Sequence, residues 1–140
     1  MNPIEFIMLI DDDEDDRDIF LSVIRESHPL IRCEIAINGQ DALNKLTPLE
    51  VLPQLIFLDL NMPLMNGSQF LIEIKRKEHL REVPVVILST SSDRNTQSEM
   101  KALGATHFIT KPDRFSEWES ALMACLHEYQ HNHYGGSKKT

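Results

Sequence analysis

Five short apolar runs, each followed by a longer amphipathic stretch, constrain this chain more than any other feature. The runs are Phe6–Ile10, the alternating Cys33–Ile37, Leu55–Leu58, Val83–Leu88 (interrupted by Pro84) and His107–Thr110. Runs of four to six partly β-branched apolar residues read as strands covered on both faces. The intervening stretches repeat their apolar positions at helical spacing. In 16–26 these are Ile19, Phe20, Val23 and Ile24; in 68–77 they are Phe70, Leu71 and Ile74. The last stretch, 115–129, carries Trp118, Leu122, Cys125, Leu126 and Tyr129, with Ser116 at its expected start. Two further helices are expected over 40–46, after the Asn38-Gly39 turn, and over 96–103, closed by Gly104. Strands alternating with helices give βα units, hence an α/β fold with a doubly wound parallel sheet of five strands and five helices.

A chain of 140 residues has room for one domain of about 100–200 residues. We expect it to occupy 1–130 and to leave 131–140, with Gly135, Gly136 and Ser137, as a tail. No apolar stretch approaches the ~18 residues of a membrane span, and no secretion signal opens the sequence. Cys33 and Cys125 lack metal-ligand spacing and read as free thiols in a reducing cytoplasm.

The charge is concentrated. Seven acids and one base lie between Asp11 and Asp18, which places −6 of the chain's net −8 in eight residues. An acidic chain lacks the basic footprint of nucleic-acid binding. The acids beyond Asp12 read as a solvated helix start, where they favour the helix dipole.

In an open parallel sheet, ligands bind beyond the carboxyl ends of the strands. The first strand ends in Asp11-Asp12-Asp13, the third in Asp59-Leu60-Asn61, the fourth in Ser89-Thr90 and the fifth in Lys111-Pro112. Clustered carboxylates repel one another, and a hard divalent cation such as Mg²⁺ relieves that repulsion. A carboxylate is also a nucleophile for phosphoryl groups. Such transfer needs positioning and charge neutralisation, which an ammonium and a hydroxyl supply.

These residues, in this order, resemble the receiver domain of two-component response regulators, especially the single-domain chemotaxis (CheY-like) type. The resemblance covers residues 5–129. It rests on the acidic pair in Met8-Leu-Ile-Asp-Asp12, on Phe57-Leu-Asp-Leu-Asn-Met-Pro63, on Met65-Asn-Gly67, on Pro84-Val-Val-Ile-Leu-Ser89 and on Lys111-Pro112. It implies a flavodoxin-like strand order 2-1-3-4-5, with Asp59 as phosphoacceptor. It further implies Mg²⁺ held by Asp12, Asp59 and the carbonyl of Asn61, with Asp11 as companion acid. Ser89 and Lys111 would bind the phosphoryl oxygens, Phe108 would be the switch aromatic, and Pro112 follows Lys111 at a position where this family often has a cis Lys-Pro bond. The implied partners are a sensor histidine kinase or phosphotransfer protein and an unidentified downstream protein or a second copy of the chain. Signalling would run through the fourth helix, fifth strand and fifth helix, with no output domain attached and no external substrate turned over. Ser89 stands where Thr is commoner, Thr90 where many members have Ala, and Asn61 and Ser91 at positions that tune phosphoryl lifetime.

Two other readings share these features. A haloacid-dehalogenase-type phosphatase would use Asp11 as nucleophile, but Asp15 stands where that motif has Thr or Val, and Asp59 would have no role. A docking receiver independent of phosphorylation would not need the intact strand ends. An EF-hand loop beginning at Asp11 fails, because its Gly and final Glu positions are Asp16 and Ser22. No glycine-rich nucleotide loop is present.

Overall fold

The computed structural model describes residues 3–60, 62 and 65–130. Five strands alternate with five helices: β1 (Phe6–Ile10), α1 (Glu14–Ser27), β2 (Arg32–Ala36), α2 (Gly39–Leu46), β3 (Leu55–Asp59), α3 (Gly67–Arg76), β4 (Val85–Ser89), α4 (Arg94–Ala102), β5 (His107–Thr110) and α5 (Phe115–Glu128). All strand pairs are parallel, in the order β2-β1-β3-β4-β5. This is the flavodoxin-like arrangement expected. The expected tail, 131–140, lies outside the described residues.

The alternation of side chains along each strand divides the core in two. Met8, Ile10, Ile56, Leu58, Val85 and Ile87 face α2, α3 and α4, where Leu43, Leu46, Phe70, Leu71, Ile74 and Met100 meet them. Ile7, Leu9, Leu55, Phe57, Val86 and Leu88 face α1 and α5, against Phe20, Val23, Ile24, Trp118, Leu122 and Leu126. β1, β3 and β4 are buried throughout, and this is why they read as unbroken apolar runs. Trp118 is 2 % exposed, so it belongs to the core and offers no partner surface.

The first four helices begin one or two residues earlier than their apolar periodicity suggests, because polar side chains cap them. The Asp13 carboxylate accepts from the Asp15 N–H and starts α1 at Glu14. Asp93 does the same for α4 through the Thr96 N–H. Asn66 and Gln69 form a reciprocal capping box for α3. Ser116 lies inside α5, whose cap position, Arg114, makes no side-chain cap bond. Pro84 precedes β4, since it has no N–H for the ladder; its carbonyl accepts from Ile56. Gly104, at φ 107°, ends α4 with the paired bonds Gly104 N–H to Lys101 and Ala105 N–H to Met100. No helix among the described residues is long and apolar enough to cross a membrane.

Candidate functional site

In this order the strands after β1 are added first on one side and then on the other, so the winding reverses between β1 and β3, and a crevice opens beyond their carboxyl ends. The register places Ile10 beside Leu58 and Asp59 beside Leu88, so Asp11, Asp59 and Ser89 emerge at one edge of the sheet. The ladder continues past the strand ends: Asp11 N–H donates to Ala36, Leu60 N–H to Leu88 and Lys111 N–H to Ser89. These bonds fix the functional positions on backbone and leave little to loop geometry. Gly67 brings the start of α3 against β3. A Cβ there would stand 2.7 Å from Leu60 Cα and 2.8 Å from the Asp59 carbonyl oxygen, so only glycine allows this approach.

Asp11, Asp12 and Asp59 form the acidic cluster, with one oxygen from each lying within 4.8 Å of the others. Asp11 and Asp59 are buried and Asp12 is exposed. The Asp13 N–H donates to Asp11 Oδ1 at 3.0 Å, and the Arg17 guanidinium donates to the Asp11 carbonyl at 3.0 Å. Lys111 reaches into the cluster from the end of β5. Its Nζ stands 2.8 Å from Asp16 Oδ2, 3.0 Å from Asp11 Oδ2 and 3.4 Å from Asp59 Oδ1. Burial pushes the Asp11 carboxyl above its usual range, and the Asp13 N–H and the Lys111 charge only partly offset it. Burial alone would lower the Lys111 ammonium, but the Asp16 hydrogen bond and the charges of Asp11 and Asp59 outweigh it and hold the ammonium above its ordinary range. The neighbouring carboxylates therefore favour the charged form of Lys111 beside Asp59.

Ser89 is 1 % exposed, and its Oγ accepts from the Ser91 N–H at 3.1 Å. Thr90 beside it is exposed. Phe108, which pairs with Ile87 across the sheet, is half-buried against the α2–α3–α4 core. Its ring borders a cavity of about 150 Å³ between α4 and β5, lined also by Gln97, Met100, Lys101, Ala105, Thr106 and His107.

Asp11, Asp59 and Lys111 thus meet directly, Asp12 joins them at the rim, and Ser89 ends the adjoining strand. Asn61, expected as a carbonyl ligand, lies outside the described residues. Two expectations are corrected. No peptide bond among the described residues is cis, so Lys111–Pro112 is trans. Asp16, read from sequence as part of a solvated helix start, turns from the first turn of α1 onto Lys111. The pair spans 95 positions of sequence, a separation that no local pattern reveals.

The cluster suits Mg²⁺ by its donor chemistry. All its atoms are hard carboxylate oxygens, the ligands that Mg²⁺ and similar cations prefer.

Residues 7–122 match the family model of the response regulator receiver domain. The protein-glutamate methylesterase/protein-glutamine glutaminase of Treponema denticola is 38 % identical over 124 residues, covering 87 % of this chain and 32 % of that protein. The corresponding Treponema pallidum protein is 39 % identical over 109 residues, covering 76 % of this chain and 26 % of that protein. The chain therefore spans between a quarter and a third of the length of these curated relatives. Among solved structures, the phosphorylated cyanobacterial phytochrome response regulator RcpA superposes with a TM-score of 0.81 at 27 % identity, covering 90 % of this chain and 93 % of that one. The Mn²⁺-bound response regulator Rcp1 superposes at 0.70 with 28 % identity, covering 83 % and 90 %.

Proposed function

Since the chain belongs to the response regulator receiver domain family, we propose that it is a phosphorylation-controlled signalling module whose phosphoacceptor is Asp59. The observation that carries this reading is the convergence of the Lys111 ammonium and the carboxylates of Asp11, Asp12 and Asp59 at the β1/β3 crevice. Asp59 is the last residue of β3, the middle strand of the sheet, and stands beside both Lys111 and the other two acids.

The donor is a phosphohistidine on a sensor kinase or phosphotransfer protein. An Asp59 carboxylate oxygen attacks phosphorus, the P–N bond breaks, and the imidazole leaves with the electron pair and takes up a proton. An aspartyl phosphate results. Lys111 neutralises charge on the phosphoryl oxygens and the Ser89 hydroxyl donates to one of them once the phosphoryl group is in place. Mg²⁺, which we assign to Asp11, Asp12, Asp59 and the Asn61 carbonyl, supplies further charge neutralisation when bound. The Mn²⁺-bound relative named above supports a divalent cation here. Attack of water on the same phosphorus breaks the P–O bond to Asp59, releases inorganic phosphate and restores the carboxylate, so the chain catalyses its own loading and unloading and turns over no external substrate.

The added charge draws the Ser89 hydroxyl inward and frees Phe108 to fill the cavity beside it, which remodels the face made by α4, β5 and α5. Output is a protein contact on that face, with a downstream protein or a second copy of this chain. We place the chain with its kinase in the cytoplasm.

The test is intact mass after incubation with acetyl phosphate and Mg²⁺. One added phosphoryl group is expected. Its absence in the Asp59→Asn variant and in metal-free protein would complete the assignment, whereas equal labelling of that variant would overturn it. A beryllofluoride titration distinguishes rapid hydrolysis from failure to react, because this phosphoryl mimic is not hydrolysed.

A further inference from the structure

Asp16 makes the shortest of the three contacts to Lys111, 2.8 Å against 3.0 Å for Asp11 and 3.4 Å for Asp59, yet it stands outside the carboxylate cluster. We propose that Asp16 is a positioning residue that holds the Lys111 ammonium so that its remaining N–H points at the phosphoryl site on Asp59. This rests on the function proposed above and assigns a residue to it.

An ammonium has three donors and no acceptor. Two of them are bound at hydrogen-bond distance, one to Asp16 from α1 and one to Asp11 from the end of β1. The third faces Asp59 at 3.4 Å, which is too long for a strong bond and leaves that donor available to an oxygen placed beyond Asp59. Asp11 belongs to the cluster that suits a cation, so its charge is shared when a metal is bound. Asp16 is not in that cluster and remains the undivided counter-charge of Lys111. It is also well mounted. Asp13 caps its helix and Arg17, the next residue, ties that helix to the Asp11 carbonyl. Lys111 is 7 % exposed, so its aim depends on these partners and not on solvent. Without Asp16 the four-carbon stem regains rotamers and the released donor turns to Asp59 or to water.

Charge and positioning predict opposite signs. Removing an acid near an anion site strengthens anion binding by Coulomb's law, whereas losing the aim of Lys111 weakens it. Beryllofluoride affinity in saturating Mg²⁺, read by fluorine NMR or calorimetry, separates the two. Asp16→Asn is expected to weaken binding about tenfold, the scale of a hydrogen bond to a charged group, and Asp16→Glu to recover most of the loss. In a Lys111→Met background Asp16→Asn is expected to cause no further weakening. If Asp16→Asn does not fold, Asp16→Ser takes its place with the same expectation. Unchanged or tighter binding by Asp16→Asn, or the same weakening in the absence of Lys111, would overturn the assignment. If the wild type itself fails to bind, the proposed function falls and this inference with it; if the wild type binds and only the Asp16 expectation fails, the function stands and the inference alone is lost.

Discussion

Replacing Asp59 by Asn should stabilise the metal-free protein while it abolishes phosphorylation. Asp59 has oxygens within 4.8 Å of both Asp11 and Asp12 and 3.4 Å from the Lys111 ammonium. At an effective dielectric constant of about 20, each repulsion costs at least about 3.5 kcal/mol and the attraction returns about 5 kcal/mol. Asp12 is exposed and its share is screened, so the Coulomb contributions nearly cancel. Burial then decides the sign. Asp59 is 5 % exposed, and a buried carboxylate carries a desolvation penalty of several kcal/mol that a neutral amide of the same shape largely avoids. The expected gain is about 2 kcal/mol. Urea denaturation in a chelator should show a higher midpoint at an unchanged slope. Adding Mg²⁺ should narrow or reverse the difference. A ligand present at 100 times its dissociation constant stabilises by about 2.7 kcal/mol, and the variant has lost one of the cation's ligands. A metal-free Asp59→Asn protein less stable than wild type would refute the reasoning that desolvation of the Asp59 carboxylate decides the sign.

Lys111→Met should destabilise the metal-free protein by about 3–5 kcal/mol, because it leaves buried acids without their cation; denaturation in a chelator reads this directly. Gly67→Ala forces a Cβ within 2.8 Å of backbone at Leu60 and Asp59. It should lower stability by about 1–3 kcal/mol, read by thermal or urea melting, and slow acetyl phosphate labelling by displacing the end of β3. The Cys33 and Cys125 thiols are both pushed up to about 12, chiefly by burial and secondarily by Glu34 and Glu128. At pH 8 the native thiolate population is then lower by about 1,000-fold than that of an ordinary thiol, and iodoacetamide should label native protein correspondingly more slowly than protein in urea. The sign for stability follows. The folded state holds these protons more tightly, so stability falls as pH rises above the unfolded thiol value near 9.

Strands β1 and β5 were legible to the residue, because a strand buried on both faces leaves an uninterrupted apolar run and β5 is closed by Thr110-Lys111. The start of α5 at Phe115 was legible to the residue, but those of α1, α3 and α4 were not. Asp13, Asp93 and Asn66 begin their helices through side-chain bonds to backbone two or three positions on, and such residues resemble loop in a periodicity count. The convergence of Asp11, Asp59, Ser89 and Lys111 followed from topology alone, since all four end strands. Asp16 escaped because it sits on a helix and meets its partner only through the fold. Hydrophobic spacing identified Trp118 as a core residue, but the completeness of its burial depends on how α5 packs beside α1. The trans Lys111–Pro112 bond departs from the family pattern, and local sequence carries no signal that sets it.

The most direct test of the central claim is to locate the phosphoryl group chemically. After loading with acetyl phosphate and Mg²⁺, borohydride reduces an aspartyl phosphate to homoserine, which peptide mass spectrometry maps to a position. Homoserine is expected at position 59 and nowhere else. Homoserine at 11 or 12, or an unmodified position 59 in protein that has gained phosphoryl mass, would contradict it.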